Sequence, residues 1–437
     1  MPPNESADVL IEARWVLPVA PGNVALGNHA VAIRGGRIVA LGPAEQLSAR
    51  FQASERISRN THALVPGFIN GFTHASLTLL RGLPVHPPLM PWLRDTLQPA
   101  EAASMGPDFV RDGTQLAIAE MLRAGITAFG NACLFPEEAA RVAEAARVRA
   151  VIGLPVASTP TAWAENLDEH FAKSEQLWDE YPADHPWVSL RFAPQPPYLL
   201  ENAALERLRR VADELDAGIA MQLHETEVEL HDGLSQHGQR PLKRMADLGL
   251  LRPGFTAVHM NHLDEQDLEL LARSGAAVVA CPQSDLRLGS GSSPLRELLS
   301  RKIPVGMGSG IVPAAGALDM LAEARCAALL NQIPADQALA AATLGAATSL
   351  GLAGEIGSIE PGKSADLACI DLSELACQPV SSPFDAVLFA ATRQQITDVW
   401  IAGRSVVADK RLLAFDEQEL MQLAEHWSAR LHAGVAS

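Results

Sequence analysis

Cysteine is scarce in this chain and never paired: Cys133, Cys281, Cys326, Cys369 and Cys377 lie scattered, with no C-x-x-C motif. That usage excludes a disulfide framework and fits a reducing compartment. No apolar run reaches the length needed to span a bilayer, so no membrane partner is expected. The opening segment, MPPNESADVL, is polar and lacks the apolar core of a signal peptide, which gives the expectation of a cytoplasmic protein. Positive charge is also short. Lys and Arg number 34 against 51 Asp and Glu, for a net charge of -17, and no basic cluster is present. A nucleic-acid partner is therefore excluded, because phosphate backbones are held by clustered cations. No G-x-G-x-x-G turn follows the early strands, which weighs against an open doubly wound sheet.

What is present is an ordinary globular composition, 48% apolar and 19% charged, at a length of 437 residues that can bury a large core. The first sixty or so residues have strand composition, with Gly35-Gly36 as a hairpin turn. Similar text returns late, in GSIEPGKSADLACIDL and ITDVWIAGRSVVADKRL. Two β segments at opposite ends of a chain can pair into one small domain. Between them eight short apolar runs recur, from LVPGFING at 64–71 to IPVGMGSG at 303–310, separated by stretches with helical apolar spacing. Eight strands alternating with helices over roughly 250 residues is the arithmetic of a (β/α)8 barrel. A closing amphipathic helix is predicted near the C-terminus, in AFDEQELMQLAEHWSARLHAGVA.

Barrel chemistry sits at the C-terminal strand ends. Those ends carry Phe72 and His74 after the first strand, Gln195 after the fourth, and Gln222, His224 and Glu225 at the fifth. The sixth brings His259 and His262, the seventh Cys281, Gln283 and Asp285, and the eighth Ser309 and Gly310. One such histidine alone reads as a capped or surface residue. The group reads as a pocket.

The order of motifs resembles the amidohydrolase superfamily, and within it the 5′-methylthioadenosine/S-adenosylhomocysteine deaminases. The matching text includes VPGFIN, TLLRG, PLMPWL, FAPQPPY, HETEVE, VHMNHL, CPQSDLRLGSG and GSIEPGKSADLACIDL, and spans nearly the whole chain. The resemblance implies a small β-sandwich from residues 1–63 and 355–413, a (β/α)8 barrel over 64–354, and a C-terminal helix over 414–437. It also implies a homodimer or homotetramer. The family's chemistry uses one divalent metal held by an H-x-H pair after strand one, a histidine on strand five and an aspartate on strand eight. A metal-bound water attacks the purine carbon bearing the amino group, and the aspartate and a glutamate move protons.

This chain departs from that pattern at the mouth. Phe72 replaces the first histidine of H-x-H and leaves His74, Gln222 stands at the strand-five position, and Gly310 at the strand-eight aspartate. Gln195 and Ala280 replace two further histidines. His224 lies two residues past the expected ligand position, roughly 6–7 Å further along the strand. Counting ligands gives the expectation that no metal, zinc or iron, is held. Glu225 and His259 persist where the family places its proton-shuttling glutamate and a histidine near the water.

The expected catalytic residues are thus Glu225, His259 and His74. The expected substrate contacts are Trp92, Glu101, Gln195, Gln222, His224, Phe72 and Asp285. By resemblance Glu101 would accept hydrogen bonds from a ribose and Trp92 would wall the pocket; the plain alternatives are a solvated charge and core packing. Cys281 is a possible nucleophile or inert filling. Three readings stay open: a metal-independent enzyme acting on a small nucleoside-like or heteroaromatic substrate by acid–base chemistry, a catalytically dead homologue serving as a binding or regulatory partner, and a divergent metal-dependent deaminase with rearranged ligands.

Overall fold

The computed structural model describes residues 5–435. Its strands are β1 (Glu5–Val16), β2 (Leu26–Arg34), β3 (Arg37–Pro43), β4 (Phe51–Pro66), β5 (Phe68–Thr73), β6 (Ile126–Ala132), β7 (Arg149–Val156), β8 (Val188–Pro194), β9 (Gly218–Leu223), β10 (Phe255–His259), β11 (Ala277–Ala280), β12 (Val305–Met307), β13 (Leu367–Asp371), β14 (Ile396–Ile401), β15 (Arg404–Ala408) and β16 (Arg411–Leu412). Contacts gather the chain into two compact units. One holds residues 1–69, 119–128 and 319–416, and the other 70–118, 129–318 and 417–437.

The first unit is built on a mixed sheet in the order β16-β15-β14-β13-β4-β1-β2-β3. Strands from both ends of the chain meet where β13 pairs antiparallel with β4. Alternate residues supply its core, with Ile11, Val31, Leu64, Leu367 and Trp400 packed together, as the two-residue period of a half-buried strand requires. The first expected barrel run, 64–71, is divided: Leu64, Val65 and Pro66 pair with β13, and β5 starts after Gly67. Glycine is required at the break, because a Cβ there would fall 2.2 Å from Thr127 Oγ1.

The remaining strands follow one another in space as they do in sequence, β5 to β12. The registers from β7 to β12 are parallel. Closure is made by the main chain where β12 ends: the N–H groups of Ser309 and Gly310 both donate to the Phe72 carbonyl, at 3.0 and 3.1 Å, and His74 N–H donates to the Gly310 carbonyl at 3.2 Å. Asn70, wholly buried, locks the same seam by donating to Ser309 Oγ and accepting from Ser309 N–H. This is the (β/α)8 barrel that the run spacing predicts, and parallel barrels place their chemistry at the mouth where these strands end.

The closing helix spans Glu417–Val435. Its Trp427 is buried, stands edge-on to Phe109 and donates to Asp112. Among the described residues no helix is long and apolar enough to cross a membrane.

Candidate functional site

β9 and β10 end in unusual backbone. His224, His259 and Met260 adopt φ of 51, 75 and 52°, the left-handed region that side chains other than glycine seldom enter. Such strain persists only where surroundings hold it, and it gathers at functional sites. Here the holding group is Glu229, a buried carboxylate in the first turn of the helix Glu227–His237. It accepts the backbone N–H of His224 at 3.0 Å and of Glu225 at 2.9 Å. Asn261 adds a bond to the Glu225 carbonyl. The chain is thereby turned so that Glu225 meets His259.

His224 itself goes elsewhere. It is fully buried, its Nε2 accepts from Leu242 N–H at 3.0 Å, and its Nδ1 donates to the His262 carbonyl at 3.2 Å. Burial, aided by Arg240, pushes its pKa down to about 3, so the ring is neutral and serves to anchor the loop.

Glu225, His259 and Asp285 form one buried cluster. His259 Nδ1 lies 2.7 Å from Asp285 Oδ1, and His259 Nε2 lies 3.8 Å from Glu225 Oε1. Asp285 reaches the cluster from the first turn of the helix Pro282–Leu288 after β11. Burial raises the Glu225 carboxyl to about 7, with Asp285 adding to the rise and His259 opposing it. Burial disfavours charge on His259 as well, but Glu225 and Asp285 outweigh it and hold the imidazole up at about 9. Glu225 Oε1 and Asp285 Oδ2 are buried without a hydrogen-bond partner.

The adjoining corner, where β5 meets the end of β12, is apolar. Phe72 packs with Val258, Val279 and Cys281, and its ring stands edge-on to His74 and His259 at 5.2 and 6.4 Å between centroids. His74 Nδ1 donates to the Ala132 carbonyl at 2.8 Å, leaving Nε2 as the acceptor, and burial lowers this imidazole to about 4. Gly310 sits at φ 63°, and a Cβ there would press within 3.1 Å of Ser284 and 3.2 Å of Cys281. Any side chain at this strand-eight position would crowd those two neighbours. Gln222 places its amide 3.3 Å from His259 Nε2.

The other expected residues are more scattered. Trp92 is buried and donates to the Pro84 carbonyl. Glu101 lies half-buried on the helix Gln98–Ser104, where burial raises its carboxyl to about 7. Gln195 is half-buried, its backbone N–H bonded to Val156. Cys281 is wholly buried. Sequence reasoning missed Glu229, whose one signal was its place four residues after Glu225 on a helix start. It also missed Ser284, whose buried hydroxyl beside Gly310 has no hydrogen-bond partner.

A parallel eight-stranded barrel thus carries a buried carboxylate–imidazole cluster at the strand ends, where barrel enzymes place their chemistry. The Amidohydrolase family pattern matches residues 63–406, and a short match to an imidazolonepropionase-like composite domain of bacteria covers residues 30–51. The chain is 38% identical to a 5-methylthioadenosine/S-adenosylhomocysteine deaminase of Teredinibacter turnerae, over 98% of each chain. A protein of the same description from Saccharophagus degradans is 36% identical over 99% of this chain and 98% of its own. Among solved structures, an adenosine deaminase from Xanthomonas campestris with bound zinc superposes with a TM-score of 0.97 at 42% identity, over 99% of this chain and 100% of that one. An atrazine chlorohydrolase from Arthrobacter aurescens shares the fold at 21% identity and a TM-score of 0.88, over 97% and 100%. The chain belongs to the amidohydrolase family.

These findings correct the expectation that no metal is held. The Xanthomonas protein carries zinc, and Glu225, His259 and Asp285 offer three donor atoms all within 4.8 Å of one another. One oxygen of each carboxylate, Glu225 Oε1 and Asp285 Oδ2, is buried without a hydrogen-bond partner, and a cation is a group that would satisfy both. Ligand counting weighed the inherited positions, with His224 and His259 as substitutes, and left Asp285 out. Asp285, on the segment after β11, becomes a donor only when the fold brings it to His259.

Proposed function

We propose that this chain is a hydrolytic deaminase acting on a nucleoside-like substrate, with a divalent cation as cofactor. The observation that carries the reading is the buried Glu225–His259 pair at the barrel mouth, 3.8 Å apart, in a chain of an amidohydrolase family whose similar members are named deaminases. Metal-independent chemistry is set aside with the correction above.

In the reaction, water oxygen adds to the ring carbon bearing the amine. The C–N bond breaks, the amine leaves as ammonia after gaining a proton, and a ring carbonyl remains. Glu225, His259 and Asp285 are the residues that would hold the cation, which supplies Lewis acidity toward water. Glu225 stands 3.8 Å from His259 Nε2, and the pair is placed at the mouth where a proton must pass to the leaving amine. Glu229 holds the Glu225 backbone in place. Phe72 offers an apolar wall beside the cluster, suited to a flat heteroaromatic ring. Glu101 and Trp92 are proposed contacts for the sugar side.

The test is ammonia release from adenosine, 5′-methylthioadenosine and S-adenosylhomocysteine by cation-loaded protein. One ammonia per substrate consumed is expected from at least one of them. Loaded, folded protein that releases none from any of the three overturns the reading.

A further inference from the structure

The two sides of the mouth are unequal as hosts for a cation. At the β5–β12 corner Phe72 contributes hydrocarbon, and Gly310 contributes no side chain, with Ser284 and Cys281 only 3.1–3.2 Å from where a Cβ would stand. Aromatic surface there would strip an ion of water and return no ligand. Next to it, with the Phe72 ring 6.4 Å from that of His259, two carboxylates and an imidazole converge from the end of β9, the end of β10 and the helix after β11.

We propose that the cation site of this chain has moved off the strand-one and strand-eight corner and lies among Glu225, His259 and Asp285. The proposal rests on the deaminase reading only for the expectation that a cation is needed; the position is argued from the residues themselves. Glu225 is 9% exposed and Asp285 1%, and each keeps one carboxylate oxygen without a hydrogen-bond partner. Buried polar atoms are nearly always satisfied, so two orphans in one cluster mark a place for a ligand. The shift also accounts for positions 72 and 310 carrying no ligand side chain in a chain that keeps Glu225 and His259. An oxygen-rich set with one nitrogen suits zinc and equally manganese(II) or iron(II), less selectively than a histidine-rich set does.

The experiment needs no substrate, so its failure is separate from failure of the deaminase reading. Full-length protein is stripped with chelator, confirmed folded by thermal unfolding, equilibrated with buffered zinc, desalted and analysed for metal. About one zinc per chain is expected in the parent. Asp285→Asn and Glu225→Gln should each weaken retention at least tenfold at the same free zinc, while His74→Asn retains it. Cobalt(II) loading gives a second readout, a visible band in the parent that shifts or vanishes in the two carboxylate variants. If one of those variants fails to fold, the other carries the comparison. Zinc lost in His74→Asn but kept in Asp285→Asn and Glu225→Gln would return the site to the strand-one corner and overturn the proposal, as would a parent that retains none.

Discussion

His259 Nδ1 stands 2.7 Å from Asp285 Oδ1, with both side chains closed to solvent. A carboxylate bonded to one imidazole nitrogen fixes the ring's orientation and decides what the other nitrogen faces. Here it faces the Gln222 amide at 3.3 Å and Glu225 at 3.8 Å. Acid–base work at the mouth depends on that alignment, so Glu225→Gln should lower kcat for ammonia release by about 10²–10⁴ while leaving thermal unfolding near the parent's. Steady-state kinetics at saturating cation decides this, and a variant with parental kcat would remove Glu225 from the chemistry.

Phe72 should behave as a core residue. It is 5% exposed and packs against Val258, Val279 and Cys281, so Phe72→Ala is expected to cost about 3–5 kcal/mol of stability. Urea unfolding measures it; a loss under about 1 kcal/mol would mean the corner is looser than the packing shows.

Gly310 is held by its backbone conformation and by its neighbours. Gly310→Ala places a Cβ at φ 63° and presses on Ser284 and Cys281. A destabilisation of about 1–2 kcal/mol is expected from the left-handed backbone alone. An unchanged urea midpoint would contradict it.

In the mixed-sheet unit, Asp398 takes a two-point bond from Arg59, at 2.8 and 2.7 Å. Burial would raise the Asp398 carboxyl, but the bonds from Arg59 and Thr397 outweigh it and hold it below its ordinary value. A depressed folded pKa means stability present above the unfolded value, about 3.9, and lost as pH falls through the folded one. The urea midpoint of the parent should therefore drop below about pH 4, and Asp398→Asn should be weaker at neutral pH with a flatter acid limb. Parallel limbs would show the pair contributes nothing.

The barrel was legible because its strands are buried apolar runs punctuated by polar strand ends, a local signal. Glu225 and His259 were legible for the same reason. The split at Gly67 was not, because it answers to Thr127, sixty residues away. His224 read as a mouth residue by position, yet its ring is engaged by Leu242 and His262. Asp285 read as one more polar group after strand seven, and its role emerges only against His259. What a sequence shows least is which distant partner will claim a polar side chain.

The barrel's closing seam runs through carbonyl and amide groups of residues 72, 74, 309 and 310, with Asn70 as its side-chain clasp. A join made of main chain draws none of its hydrogen bonds from the side chains at 72 and 310. A change of side chain there is felt through packing and backbone conformation, not through the bonds of the seam. The fold separates what carries the weight from what carries the reaction, and that separation gives such a scaffold its room to change trade.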